Sequence, residues 1–547
     1  MVDPPRRWRA RIVRTAGWTL VAGAVAGLAA APLGALLGVA TADGWSSLLA
    51  SVDARAMQAL LNTLLVGLLV TATAVVGGTA AALVTERWAT RGRRWLRLGL
   101  LIPFLTPPFV AAVGWVRAYG PAGLTDQALG IGWSGLFGAA GITVVLAVHA
   151  LPLAYLVVAA GLATRAEPDL ERAARVSGGS ASRVLRSITL PLLRPALVTG
   201  AVLVFVTSVN AFGVPAVLGI PAAFGTVTTR IYQDLAFAAD EASFSRVIAL
   251  ACVLVVLAMS ATGVAALAGR RATVRTGGAV GSDLPTPGRS RLPACLLGGY
   301  LLLTTLVPLI ALVLTALTRA AGLPPVPANL TLDNFGRAVD GRTAAALTNS
   351  LLLAVVAATF AVLLGALVVI LARRRGSAVV PAIATVTFAV PGSTLAVAIL
   401  LAYGGWLRDT LLLILVAYLA KLWVLGLRPL ASAADRLPPE LVFAARASGA
   451  GPVSAFVTVI LPLFRPVAAA AWLLVFIFAL HELTMSSLLY GPGSTTLAVV
   501  VLNLQQLGDP TVTAALAVLL TVLVLGAALP VLLFRRSMLD GLRGSGA

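Results

Sequence analysis

Residues 168–195 read PDLERAARVSGGSASRVLRSITLPLLRP, and residues 439–466 read PELVFAARASGAGPVSAFVTVILPLFRP. A single offset of 271 residues (439 minus 168) aligns these two stretches without a gap. The matched positions include Pro168/Pro439, Ala173/Ala444, Ala174/Ala445, Arg175/Arg446, Gly178/Gly449, Leu190/Leu461 and Pro191/Pro462. Two polar stretches do not share such a register by chance, so the sequence predicts a chain built from two related halves.

Each copy predicts a short helix outside the lipid. Pro168 and Pro439 suit the first turn of a helix, where the missing N–H costs nothing, and an acidic residue follows each proline, which is favourable at a helix N-terminus. Gly178 and Gly449 stand where a left-handed residue ends a helix. We therefore expect two helices of about nine residues.

The composition of these helices is typical of a docking surface. Two adjacent alanines leave each helix a nearly bare face, and Arg175 or Arg446 places a charge beside it. In the first copy, Glu171 can pair with Arg175 at i,i+4 spacing. The alternative is a plain surface helix that joins two membrane segments, but such a connector gives no reason for the duplicated register.

The rest of the chain is strongly apolar. Of the 547 residues, 59% are hydrophobic and 11% are charged, and the mean hydropathy is +0.98. Soluble proteins carry about 45–50% apolar and about 25% charged residues, so the composition excludes a soluble enzyme, a disordered chain and a disulfide scaffold. Since lipid requires the backbone to satisfy its own hydrogen bonds, we predict an all-α polytopic membrane protein.

Hydrophobic stretches of about 20 residues divide the chain into about 12 transmembrane helices, arranged as two six-helix repeats. The ninth stretch is the weakest, because Pro381 and Pro391 interrupt it. The predicted spans are 15–41, 59–85, 97–117, 135–163, 191–218, 245–269, 293–318, 344–372, 378–402, 410–429, 462–490 and 511–534.

The net charge of +20 (40 basic minus 20 acidic residues) would suggest nucleic acid in a soluble protein. Here the arginines cluster in alternate loops, within 6–14, 87–97, 270–275, 373–375 and 535–536, while the intervening loops are mixed or acidic. Because basic residues collect on cytoplasmic loops, this pattern predicts cytoplasmic termini and no nucleic-acid partner.

Residues 272–291 are rich in Gly, Ser, Thr and Pro, which is typical of a linker. We therefore predict a first repeat over 1–271, a cytoplasmic linker over 272–291 and a second repeat over 292–547. The docking loops then cover 165–190 and 430–461.

Both loops resemble the EAA signature of ABC importer permease subunits, which reads Glu-Ala-Ala, three residues, Gly, nine residues, then Ile-x-Leu-Pro. Arg172 and Phe443 stand at the glutamate position of that signature, and Glu171 and Glu440 lie close enough to replace it. The matching residues are Ala173, Ala174, Gly178, Ile188, Leu190 and Pro191 in the first copy, and Ala444, Ala445, Gly449, Val459, Leu461 and Pro462 in the second.

The resemblance implies a fold like that of type I ABC importer permeases, in a bacterial plasma or inner membrane. It also implies two ATP-binding cassette ATPase subunits that grip the helices at 169–178 and 440–449, and an extracytoplasmic solute-binding protein. Fused double permeases of this kind look like those of ferric iron, thiamine, polyamine and phosphonate importers.

Gly and Pro interrupt the helices within 212–233 and 482–499, as transporter gates often require. These two stretches look most like those of ferric-iron permeases, so the resemblance makes ferric iron the expected cargo. The alternative is that the Gly and Pro residues of these two stretches simply form ordinary loops.

The chain itself lacks the means to hydrolyse ATP. Its one lysine, Lys421, has no glycine loop before it, which excludes a G-x-x-x-x-G-K-[ST] phosphate-binding loop. ATP would therefore be used by partner subunits, and we expect a transport subunit rather than an enzyme. Two isolated histidines predict no metal cluster, and no bound cofactor is expected.

Polar residues within the predicted spans are candidates for a translocation pathway. The offset of 271 maps Asn210 onto His481, which Glu482 follows, and places Lys421 next to the position equivalent to His149. The competing interpretation is that neighbouring helices simply satisfy these side chains.

Two other function classes are weaker. An ion-coupled secondary transporter also uses repeated halves, but it predicts paired carboxylates within spans, and Glu482 is the one clear candidate. A membrane-embedded enzyme needs a clustered catalytic set, and the sequence shows none.

Overall fold

The described part of the chain is predominantly helical. A computed structural model describes residues 4–42, 44–87, 92–165, 168–237, 240–270, 292–372 and 387–544. Within these ranges the backbone forms helices, turns and one isolated bridge between Thr318 and Leu330. The predicted all-α class is confirmed. The predicted linker 272–291 lies outside the described residues.

We number nineteen helices in the described ranges, ten in the first half and nine in the second, and they follow the same order except that α3 has no described counterpart. The first half holds α1 (Thr15–Ala42), α2 (Ala54–Arg87), α3 (Arg93–Leu105), α4 (Pro108–Tyr119), α5 (Ala139–Arg165), α6 (Pro168–Val176), α7 (Ala181–Val209), α8 (Gly213–Leu218), α9 (Val227–Phe237) and α10 (Glu241–Arg270). The second half holds α11 (Leu292–Leu317), α12 (Gly341–Ala372), α13 (Gly392–Leu407), α14 (Leu411–Arg436), α15 (Pro439–Ala447), α16 (Val453–Leu480), α17 (Ser486–Leu489), α18 (Leu497–Leu507) and α19 (Pro510–Gly544).

Ten helices in the described ranges are long and apolar enough to cross a membrane. The third predicted span is broken. Helix α3 meets the segment Pro108–Leu129, which starts with α4, at an angle of 103°. The break lies at Thr106 and Pro107, where extended backbone precedes a helix that starts at Pro108. Its counterpart α13 also starts directly after a proline, Pro391, and has 16 residues. Part of the ninth predicted span, residues 378–386, lies outside the described residues.

The fifth and eleventh predicted spans are too long. Helix α7 ends at Val209 and α16 ends at Leu480, and short helices follow each break. The apolar composition continues beyond Asn210 and His481, so hydropathy could not show where the helices stop. The predicted interruption of the helices within 212–233 and 482–499 is present at both places.

Each half has a three-helix core of the same design. Helices α2, α5 and α7 pack on one another, as do α12, α14 and α16. Close approach depends on glycine: a Cβ on Gly78 would lie 2.8 Å from the Tyr155 backbone nitrogen, and one on Gly365 would lie 2.8 Å from that of Leu427. Small residues at such contacts are the usual means of bringing membrane helices together.

The two halves exchange their first helices. Helix α1 packs on α12 and α13 of the second half, and α11 packs on α4 of the first half. The hydroxyl of Tyr403 on α13 donates to the carbonyl oxygen of Gly27 at 2.6 Å, and that of Tyr119 on α4 donates to the carbonyl oxygen of Leu303 at 2.5 Å. At each of the two interfaces, a tyrosine hydroxyl therefore donates to a backbone carbonyl oxygen of the exchanged helix.

Aspartates cap four long helices. Asp53 and Asp340 accept backbone N–H groups at the starts of α2 and α12, at 2.6 and 2.7 Å, and Asp240 and Asp509 do so for α10 and α19, at 3.0 and 3.2 Å. The hydrogen bond from the Thr343 backbone lowers the pKa of Asp340. All four aspartates fall in loops that the charge pattern assigns to the outer side.

Candidate functional sites

The duplicated stretches fold as predicted. Helices α6 and α15, which we call the surface helices, have nine residues each and begin at Pro168 and Pro439. Gly178 and Gly449 follow with φ of +83° and +85°, and their N–H groups donate to carbonyl oxygens of the last turn at 3.0 Å. The left-handed glycine end is thus confirmed in both copies.

Surface helix α6 lies at the end of α2 that is remote from the aspartate-capped start, because α2 runs from Asp53 to Arg87, which contacts α6. In the second half, α15 follows α14 as α6 follows α5 in the first half. This shared order predicts that the two surface helices face the same cellular compartment.

The surface helices present apolar and cationic groups to their surroundings. Val176 on α6 and Phe443 on α15 are 89% and 67% exposed. Ala173, Ala444 and Arg446 are exposed, while Ala174, Ala445 and Arg175 are half-buried. Each surface helix thus exposes a large apolar side chain close to an arginine.

Glu171 attaches α6 to the bundle. Its buried carboxylate accepts hydrogen bonds from the guanidinium of Arg87 and the hydroxyl of Thr189, each at 2.9 Å. The expected pair between Glu171 and Arg175 is therefore wrong, since Arg87 from α2 holds the carboxylate instead. Glu440, by contrast, is exposed on α15.

A second acidic residue extends this attachment. Glu86 forms an ion pair with Arg97 of α3, and its carboxylate accepts a hydrogen bond from Tyr155 of α5 at 3.1 Å. The end of α2 thus joins α3, α5 and α6 through charged groups. Sequence reasoning missed these residues, although adjacent Glu86 and Arg87 at the end of an apolar span were a usable signal.

The broken helices hold the predicted intramembrane residues. The ammonium of Lys421 on α14 donates to the carbonyl oxygens of Phe388 and Val390, at 2.8 and 2.5 Å, just before α13 begins. In the first half, His149 on α5 lines a cavity together with Pro103 and Thr106, at the break before α4. Lys421 and His149 therefore both lie beside a helix break, one in each half.

Glu482 performs a similar task after α16. Its carboxylate accepts the backbone N–H groups of Met485 and Ser486, at 3.0 and 3.1 Å. The Ser486 hydroxyl lies 2.7 Å from that of Tyr418. Lys421 and Glu482 thus satisfy freed backbone groups, as the competing interpretation holds.

Asn210 and His481 stand at equivalent helix ends with unused acceptors. They directly follow α7 and α16, and in the described part of the chain the Asn210 Oδ1 and the His481 Nδ1 have no hydrogen-bond partner. The His149 Nδ1 is likewise unpaired there. Within the same residues, no three His, Cys, Asp or Glu side chains are grouped closely enough to hold a metal ion.

A pair of polar residues missed by sequence reasoning fixes the helices after these breaks. The amide nitrogen of Asn62 donates to the carbonyl oxygen of Gly225 at 2.8 Å, and that of Asn349 donates to the carbonyl oxygen of Gly493 at 3.0 Å. Each asparagine is followed by a hydroxyl residue, Thr63 or Ser350. Their hydroxyl oxygens accept the first backbone N–H groups of α9 and α18, at 2.9 and 2.8 Å. The signal was an Asn-Thr pair and an Asn-Ser pair at corresponding places near the starts of two long apolar stretches.

Comparisons with known proteins agree with this duplicated plan. The family described as "Binding-protein-dependent transport system inner membrane component" matches residues 74–274 and again 361–540. A probable ABC transporter permease protein of Sinorhizobium fredii is 26% identical over 514 residues, which is 88% of this chain and 87% of the relative. An Fe(3+)-transport system permease protein of Haemophilus influenzae is 24% identical over 495 residues, which is 88% of this chain and 90% of the relative.

A shorter relative has a different named cargo. A molybdenum transport system permease protein of Mycobacterium tuberculosis is 32% identical over 183 residues, which is 32% of this chain and 62% of the relative.

The two family matches together cover more than half of the chain, one in each half. The chain is a multi-pass membrane protein that belongs to the family of inner membrane components of binding-protein-dependent transport systems, with the family unit present twice.

Proposed function

We propose that this chain forms the translocation pathway of an importer for ferric iron, driven by two ATPase subunits that dock on the surface helices. The observation that carries the docking proposal is the pair α6 and α15, with matching length, matching glycine ends and exposed apolar side chains. A single chain would thereby offer two ATPase sites, one for each repeat.

Transmission from the docking surface is best supported in the first repeat. Movement of α6 would act on α2 through the buried pair of Glu171 with Arg87, and on α3 and α5 through Glu86. Position 442 is valine where the first repeat has Glu171, and position 460 is isoleucine where it has Thr189. The second repeat therefore lacks the carboxylate and the hydroxyl that form this attachment in the first repeat.

We place the pathway between the helix breaks of the two repeats. Asn210 and His481 would contact the cargo, because their acceptor atoms are unused and they occupy equivalent helix ends. Lys421, His149 and Glu482 would keep the broken segments in position while the halves move. A solute-binding protein would deliver cargo at the aspartate-capped end, which makes the arginine-rich loops and both termini cytoplasmic.

The cargo assignment is supported by ferric relatives that match along most of the chain, at 24% and 23% identity. Molybdate is the second candidate, because the molybdenum permease has the higher identity over a shorter stretch. Thiamine, polyamine and phosphonate remain further alternatives within the same class. An ion-coupled transporter is the alternative from another class.

Uptake by the reconstituted importer tests the proposal. The chain, with an ATPase and a solute-binding protein from the same organism, is placed in proteoliposomes, and ATP-dependent uptake of radiolabelled ferric iron and of molybdate is measured separately. We expect iron uptake that requires ATP, and strong loss of it when Asn210 and His481 are both changed to Ala. Asn329→Ala, in the loop after α11, is the control and should not alter uptake.

The possible results separate cargo from mechanism. ATP-dependent uptake of molybdate without iron would keep the importer and overturn its cargo. Iron uptake driven by an ion gradient without ATP would overturn the ATPase coupling. Undiminished iron uptake in the double variant would remove Asn210 and His481 from the pathway.

A further inference from the structure

An arginine near the outer end of α4 has no counter-ion. The Arg117 side chain is half-buried, its Nε is buried without a hydrogen-bond partner, and no ion pair involves this side chain among the described residues. Partial burial removes some of the hydration of a charge, and a bound counter-charge offsets that cost. The chain, with its excess of 20 positive charges, leaves this one without an acidic partner in the described ranges.

The guanidinium lines a cavity between the two halves of the chain. The wall combines Arg117 and Gln127 from the first half with Thr315 and Thr318 from the end of α11, together with the loop at 320–325. Of the residues that the structure describes, no carboxylate lines this cavity. Both threonine hydroxyls donate to carbonyl oxygens of their own helix, so they leave the Arg117 charge unneutralised.

The position of this cavity favours a ligand at the membrane boundary. It lies at the ends of α4 and α11, and Ile310 and Val313 of α11, which adjoin the lining residues Ala311 and Leu314 in sequence, are exposed. Guanidinium groups form paired, charge-assisted hydrogen bonds with phosphate oxygens. Exposed apolar side chains beside the cavity would accommodate an acyl chain.

We propose that Arg117 binds a phosphate oxyanion, supplied by a membrane-lipid headgroup or by free phosphate, at the junction of the two repeats. Because α4 and α11 belong to different halves, the bound oxyanion would stabilise their contact. The residues that line this cavity include none of the pathway residues and none of the surface helices.

Thermal unfolding of the purified, delipidated chain tests this site. Tryptophan fluorescence reports unfolding, since the chain has ten tryptophans. Short-chain phosphatidylglycerol, short-chain phosphatidylcholine and inorganic phosphate are titrated separately, with chloride at matched ionic strength as the reference. We expect the unfolding midpoint of the unchanged chain to rise by a few degrees with a phosphate-bearing probe, and the rise to disappear in Arg117→Gln.

Two further variants make the result decisive. Arg319→Gln removes an exposed arginine two residues past α11 and should keep the full rise. Arg117→Lys keeps the charge but loses the paired geometry, so a higher probe concentration should be needed for half of the rise. This variant also serves if Arg117→Gln does not fold.

Each outcome bears on the proposal. A rise with lipid but not with inorganic phosphate identifies the lipid source, and a rise with inorganic phosphate alone identifies the free anion. No rise in the unchanged chain with any probe overturns the site. An equal rise in Arg117→Gln and the unchanged chain also overturns it, as does an unchanged half-rise concentration in Arg117→Lys.

Discussion

At the scale of single residues, burial distinguishes a charged side chain that attaches α6 to the bundle from one that remains exposed on the helix surface. Glu171 and Arg172 are adjacent on α6, yet the first is buried against Arg87 and the second is exposed and pairs with Asp169 at 3.2 Å. Removing one member of a buried ion pair costs roughly 3–5 kcal/mol, whereas exposed pairs contribute about 0–1 kcal/mol. The two residues therefore form a matched pair of tests.

Glu171→Gln should loosen α6 and weaken coupling to ATP hydrolysis. We expect faster amide hydrogen exchange over 168–176 and a clear fall in transport per ATP hydrolysed, because Arg87 is left buried without its partner. Arg172→Gln should leave the exchange rate over 168–176 near that of the unchanged chain, because Arg172 is exposed and its pair with Asp169 contributes little. If exchange over α6 were the same in the two variants, the attachment role of Glu171 would be refuted.

At the scale of helices, sequence reasoning was strongest where chemistry is local. Proline starts and glycine ends placed α6 and α15 correctly, because each depends on a single residue's backbone preference. The broken helices were harder to place. Apolar residues continue through the breaks after Val209 and Leu480, so hydropathy could not reveal that Glu482 satisfies the freed backbone N–H groups.

Long-range pairings were also beyond the sequence pattern. Glu171 meets Arg87 across 84 residues, and Asn62 meets Gly225 across 163. Spacing along one helix suggested Glu171 with Arg175 instead, because i,i+4 neighbours are visible in a sequence and contacts between helices are not. The roles of the predicted docking and pathway residues stay predictions until the experiments are done.

The glycine ends of the surface helices provide a test at this scale. Changing Gly178 and Gly449 to Val places a branched side chain at a left-handed backbone, which costs roughly 1–2 kcal/mol per residue. Since a Cβ at either glycine would meet no neighbour within 4 Å, the effect comes from backbone conformation. We expect ATP hydrolysis to be uncoupled from uptake while the chain remains in the membrane.

The matched control is Gly263→Ala within α10, where a Cβ also meets nothing within 4 Å and the backbone is helical. It should leave uptake unchanged. Normal uptake in the double valine variant would contradict a docking role for the ends of α6 and α15.

At the scale of the whole molecule, one chain contains both halves of the transporter. Each half supplies a three-helix core, a surface helix and a first helix that packs on the other half. The reciprocal contacts of Tyr119 and Tyr403 are therefore satisfied within a single polypeptide. A second copy is not needed to complete the arrangement.

This arrangement predicts the stoichiometry of the assembled importer. One copy of the chain should co-purify with two ATPase subunits, because it carries one surface helix in each repeat. Native mass spectrometry of the complex measures this directly, with Phe443→Ala expected to weaken binding of one ATPase because it removes an exposed apolar group from α15. Two copies of the chain in each complex would contradict the prediction.

The exchange of first helices also has a consequence for biosynthesis. Gly27 precedes its partner Tyr403 by 376 residues, so α1 enters the membrane long before α13 exists. At ribosomal rates of about 5–20 residues per second, the interval is roughly 20–75 s. During that time lipid must cover the face of α1 that later contacts α13. A nascent chain that stopped after its first half would keep that face exposed to lipid and available to α13 from another chain.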